Sequence, residues 1–206
     1  MEKKYKLTEE TINVNGKTLY RIEALRDFND VKKGNKGGFI EKESNLSQSD
    51  DCWVDGNAMV CDNAVVCGNA EIYGKAKVFG NAEVYNNAIV CGNAQVCGYA
   101  RIYGQAQVRD DAEVYGDAVV CGNVLVSDKA KISNNAIVFG NAQVCGYAWV
   151  YDKAKVYDNA QVCGNAMVYG NTEVYDNAKV FEEAKICGNA KVGGDARVYG
   201  KAKICG

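Results

Sequence analysis

From Gly56 to Cys205 apolar and polar positions recur with a period of six, and the period holds through twenty-five hexads without an insertion or deletion. The hexads read GNAMVC, DNAVVC, GNAEIY, GKAKVF and so on to GDARVY and GKAKIC. The fifth position is Val or Ile throughout, and the third is Ala everywhere except at Val124 and Thr172. Residues two apart lie on the same side of a strand, so the third and fifth positions point inward while the fourth and sixth point out. Each hexad is therefore predicted to be one short strand and a corner. The corner falls on the first two positions, and the first is Gly, Asp or Asn in every hexad but the one that opens with Glu182. Those residue types tolerate positive φ, so Glu182 is expected to be strained or to sit in a different turn. The second position is mostly Asn, whose side chains hydrogen-bond in ladders along the axis when coils stack.

A short period repeated this often specifies a solenoid. Three six-residue sides make a triangular coil of eighteen residues, the arrangement that a resemblance to hexapeptide-repeat proteins implies, so the expected fold is an all-β, single-stranded parallel β-helix of about 8–9 coils. At roughly 4.8 Å between neighbouring strands the repeat is about 40 Å long. Val60 with Ala64, and Val66 with Ala70, place an aliphatic residue and a small one four later. This resembles the motif of hexapeptide-repeat proteins, and the resemblance covers about three-quarters of the chain. It implies a left-handed parallel β-helix. The departure is the residue after the aliphatic one, commonly Gly, Ala, Asp or Glu in that family and here mostly Tyr, Cys or Phe.

Ahead of the hexads, residues 11–24, TINVNGKTLYRIEA, read as two strands around Asn15-Gly16, the signal of a type I′ hairpin. A hairpin that covers the open first coil protects its edge. Lys33-Gly34-Asn35-Lys36-Gly37-Gly38 forms a turn, after which Ile40, Leu46, Cys52 and Ala58 fall six apart. The predicted division is a cap over 1–37 and the β-helix over 38–206. The FIEKESNLSQSDDCWVDGNA stretch, together with TLYRIEALRDF, resembles the start of YdcK-like hexapeptide-repeat proteins, a bacterial and prophage-associated group often labelled transferases. That label rests on fold analogy, which does not establish an activity.

Composition narrows the function. The chain has 206 residues, ten cysteines, no histidine, no proline and a net charge of −2, which reads as one soluble domain with a cap. The charged start MEKKYKLTEE has no apolar signal region, so the expected compartment is the cytoplasm, where thiols stay reduced. Most cysteines occupy the sixth hexad position interchangeably with Tyr and Phe, as space-filling side chains. Cys145 with Cys163 and Cys187 with Cys205 stack eighteen apart, close enough for a disulfide but with parallel side chains, and are expected to remain thiols. A column of cysteines on a flat side does not converge on zinc, and no metal or other cofactor is implied.

The family resemblance implies that acyltransferases on this fold use a histidine base and bind the acyl donor between subunits beside a projecting loop. This chain has neither, and the histidine-bound zinc of γ-class carbonic anhydrases is likewise excluded. Asp110, Asp111 and Glu113 are acidic enough to act as bases but read as solvated surface, so no catalytic residue is expected. With 24 Lys and Arg against 26 Asp and Glu and no basic stripe, neither nucleic acid nor membrane is an expected partner.

The outward aromatic positions remain. Tyr115, Tyr151 and Tyr169 share one side, with Met59, Trp149 and Met167 at the neighbouring position. Either the rings stack along the coils and stabilise the sheet, or Tyr115, Trp149, Tyr151, Met167 and Tyr169 form an interface for a protein partner or for a homodimer or homotrimer. Residues 80–108 also match 128–156 at an offset of forty-eight, which is eight hexads but not a whole number of coils. A duplication that kept the hexad and ignored the side favours a scaffold whose length matters more than its surface. The expected function is a non-catalytic scaffold or protein-binding module; the alternative is an acyltransferase-like protein with its site at a subunit interface.

Overall fold

The computed structural model describes residues 3–206. From Gly56 onward each hexad contributes a strand of two to four residues at its fourth and fifth positions, as in Met59–Val60, Val65–Val66 and Glu71–Ile72. Each strand pairs in parallel with those eighteen residues before and after it: Val78 lies opposite Val60 on one side and Val96 on the other. Successive hexads join successive sheets, which contain twelve, eight and nine strands. The result is a three-sided parallel β-solenoid of about nine coils. We number its faces by the first strand of each within the hexads: the first face starts at Met59, the second at Val65 and the third at Glu71.

The core is the inward pair of every hexad, and from Ala58 and Val60 through Ala184 and Ile186 these residues are buried. All twenty-five first positions have positive φ, at 63–84° for Gly and 57–61° for the others. Glu182 takes the same turn at φ 60°, so of the two expectations, strain or a different turn, the different turn is not found. Its carboxylate accepts the backbone N–H of Gly200 at 2.7 Å. Asp62, Asp128 and Asp176 make the same bond to Gly80, Gly146 and Gly194 at 3.0, 2.9 and 2.9 Å. The acidic side chain thus holds the turn of the next coil, and glutamate is long enough to reach the same donor. At the second position Asn123, Asn141, Asn159, Asn177 and Asp195 form one ladder with bonds of 3.0–3.3 Å.

At the N-terminal end, β1 (Tyr5–Val14) and β2 (Lys17–Ala24) form an antiparallel hairpin. Asn15 and Gly16 both have positive φ, 51° and 81°, as the type I′ turn requires. β3 (Lys36–Ile40) pairs antiparallel with β2 and parallel with Met59–Val60, so the hairpin continues the first sheet. Gly38 is needed there, because a Cβ would lie 2.6 Å from the carbonyl oxygen of Ala58. Tyr5, Ile22, Phe28 and Trp53 close the open end of the core.

The six-residue spacing of Ile40, Leu46, Cys52 and Ala58 does not follow one column. Ile40 and Leu46 pair twenty residues ahead, with Val60 and Val66, whereas Val54 pairs eighteen ahead with Ile72. Two extra residues therefore lie between Leu46 and Val54, and Cys52 takes a third position where Leu46 takes a fifth. The buried Lys4 accommodates the insertion by donating to the carbonyls of Asp50 and Cys52 at 2.5 and 2.8 Å.

The reading of the cysteines needs correction as well. Cys145–Cys163 and Cys187–Cys205 are disulfides, with Cα atoms 4.6 and 4.5 Å apart. In-register parallel strands hold paired cysteines within the Cα range that a disulfide spans. Cys52, Cys61, Cys67, Cys91, Cys97 and Cys121 are free. Among the described residues no helix is long and apolar enough to cross a membrane.

Candidate functional site

Because the fourth and sixth positions of a hexad both point outward, side chains from neighbouring coils meet on a face without any loop to position them. On the first face Trp149 lies opposite Met167. The Trp149 and Tyr151 ring centroids are 4.5 Å apart, and Tyr151 stacks on Tyr169 at 4.9 Å with 7° between the planes. All four side chains are half-buried. The indole N–H of Trp149 donates to the buried hydroxyl of Ser133 at 3.0 Å, so its polar atom is satisfied within the sheet and the cluster presents apolar surface. Burial, then the Tyr169 and Asp152 charges, push the Tyr151 phenol up. Tyr115 lies in the same column, separated from Tyr151 by Ser133. Four of the five residues singled out in the sequence come together, and Tyr115 stands apart.

Ring stacking also occurs where the sequence reading did not look. On the second face Phe139, Tyr157 and Tyr175 stack at 4.8 and 5.3 Å, and Tyr85 stacks on Tyr103 at 4.9 Å. On the third, Phe181 stacks on Tyr199 at 5.5 Å. Adding eighteen to 139 finds the longest stack directly. Stacking is thus a general use of the sixth position, and the first face differs by having Trp149 and Met167 at the fourth.

A cleft of about 420 Å³ lies where the segment around Asn29–Lys36 stands against the third face. Asp30, Asp51, Asp55 and Glu71 line it with Lys36, whose ammonium donates to Glu10 at 3.0 Å. Trp53 borders the cleft but packs edge-on against Phe28 at 5.3 Å, as part of the core. Such a lining repels the pyrophosphate of an acyl donor. The carboxylates considered as bases are each engaged: Asp110 accepts from the N–H of Asp128 at 3.3 Å, Asp111 from Asn93 at 2.9 Å, and Glu113 pairs with Lys131 at 2.9 Å. Among the described residues no group of three or more His, Cys, Asp or Glu is placed to hold a metal ion.

Residues 130–146 and 160–176 match the YdcK beta solenoid repeat, in agreement with the eighteen-residue coils seen throughout. Both stretches are YdcK-like β-solenoid repeats. No curated protein matches the chain. The two matched stretches of the YdcK-like solenoid contain Ser133, Met167 and Tyr169, and Trp149 and Tyr151 lie between them.

Proposed function

We propose that this YdcK-like solenoid is a non-catalytic scaffold that binds a protein, either a different partner or a second copy of itself, through its first face. The observation that carries the reading is the cluster of Trp149, Tyr151, Met167 and Tyr169, apolar and half-buried on a flat face. Aromatic and methionine side chains are enriched in the cores of protein interfaces, and a contiguous group of them on a surface marks a contact site. The surrounding solenoid is rigid, so binding there requires little ordering of the scaffold. A prophage or mobile-element origin belongs to the same reading and is supported by the YdcK-like resemblance alone.

Trp149→Glu puts a charge into the cluster without touching the core. Light scattering behind size exclusion, together with capture of a partner from lysate, is expected to show loss of self-association or of capture while circular dichroism stays native. An unchanged oligomeric state with unchanged capture would sink the proposal. Calorimetry with acetyl-CoA is expected to give no binding heat, and saturable binding would favour the acyltransferase-like alternative.

A further inference from the structure

Within the hexads, 145/163 and 187/205 are the cysteine pairs separated by the eighteen residues that bring side chains into register, and both are joined. The first lies inside the third face, where strands are paired on both edges. Gln143 pairs with Leu125 and Gln161, and Gln161 also pairs with Lys179. The N–H of Cys145 donates to Val162 at 3.0 Å and that of Cys163 to Val180 at 2.9 Å. These ladder bonds hold the Cα atoms 4.6 Å apart independently of the sulfurs. Cys91, an unjoined cysteine at the same hexad position, makes the same ladder bond, to Val108 at 2.9 Å. Making or breaking the disulfide therefore requires no movement of the backbone.

The pair is also open to attack. Both cysteines are half-buried, with part of each side chain at the surface. On the Cys145 side the adjoining outward residues Ser127, Gln143 and Gln161 are small or uncharged, whereas Phe181 follows Cys163 in the same column and Lys179 pairs with Gln161, so the Cys145 sulfur is the one a small co-reactant reaches. We propose that Cys145 and Cys163 form a thiol–disulfide exchange site, which a small thiol of the glutathione class reduces and its disulfide reoxidises while the solenoid stays folded.

The exchange follows ordinary thiol chemistry. The small thiolate attacks one cysteine sulfur, the S–S bond breaks, and the electron pair leaves on the other cysteine, which takes a proton. A second small thiolate attacks the small-molecule sulfur of the mixed disulfide and releases the remaining cysteine as a thiolate, which is protonated in turn. One protein disulfide and two small thiols thus become two protein thiols and one small-molecule disulfide, and oxidation is the reverse.

The test equilibrates the full folded chain in graded ratios of reduced and oxidised glutathione, blocks free thiols with N-ethylmaleimide and maps the peptides, with circular dichroism recorded in parallel. Cys145 and Cys163 are expected to become alkylated together as the ratio rises, reversibly and with the β spectrum unchanged. Cys163→Ser should lose this paired response and leave Cys145 carrying one glutathione in oxidising buffer. Serine already occupies sixth positions at Ser127 and Ser133, so that variant is compatible with the fold. Alkylation that needs denaturant, thiols that stay free at every ratio, or loss of the β spectrum on reduction would each overturn the proposal.

Discussion

At each hexad corner the backbone passes through positive φ, and the side chains meet this demand in two ways. Glycine removes the Cβ that would otherwise crowd the next coil: at Gly146 it would lie 2.8 Å from the backbone nitrogen of Gly164. Aspartate keeps its Cβ but recovers a bond to the next turn, as Asp128 does with Gly146 at 2.9 Å. Gly146→Ala is therefore expected to lower stability by about 1–2 kcal/mol, the scale of the left-handed penalty, and Gly146→Asp by less; urea midpoints of the two variants check the order. Inside the core, Thr172 replaces the usual alanine, and its hydroxyl is buried without a hydrogen-bond partner among the described residues. Thr172→Val is expected to raise stability by about 1 kcal/mol, since a buried hydroxyl without a partner carries an uncompensated desolvation penalty. An unchanged or lower urea midpoint for this variant would contradict that account.

At the scale of elements, the cap depends on contacts over long sequence separations. The Tyr5 hydroxyl donates to the carbonyls of Leu46 and Glu43 at 2.8 and 3.0 Å, and burial pushes its phenol up. Tyr5→Phe leaves those carbonyls without this donor and is expected to destabilise the cap by about 1–3 kcal/mol, read as earlier loss of cap protection in hydrogen exchange. Asp50 accepts the N–H of Gly68 at 3.1 Å, and this bond first, then Ser47, holds its carboxyl below the usual range. A carboxyl with a depressed folded pKa contributes stability above its unfolded value and loses it as pH falls through the folded one. In a Trp149→Phe background, Trp53 fluorescence should therefore report cap loosening as pH falls from the ordinary carboxylate range through that lower value. Asn15-Gly16 made the hairpin legible in advance. The true start of β1 at Tyr5 and the two-residue insertion were not, because both depend on Lys4 and Tyr5 meeting a segment some forty residues away.

For the molecule as a whole, the eighteen-residue coil is the unit that preserves columns. Removing residues 92–109 deletes one coil and keeps every remaining column in register, so circular dichroism is expected to stay native. Removing 92–94 instead breaks the hexad phase and drives outward polar positions toward the core, at about 2–7 kcal/mol for each buried group without a partner. A clearly lower urea midpoint for the short deletion than for the long one is the expected outcome.

The solenoid, the inward positions and the positive-φ corners were determined by the sequence itself, because a hexad decides locally which side each residue faces. The tertiary structure decided which side chains meet across coils. The joining of Cys145 to Cys163, the hydrogen bond from Trp149 to Ser133, the isolation of Tyr115 and the reach of Glu182 to Gly200 all depend on closure at eighteen residues. Arithmetic on the period brings those residues into neighbouring coils. Whether two sulfurs bond, a ring tilts or a carboxylate reaches the next turn is set by side-chain direction and strand spacing, which appear only once the coils are stacked.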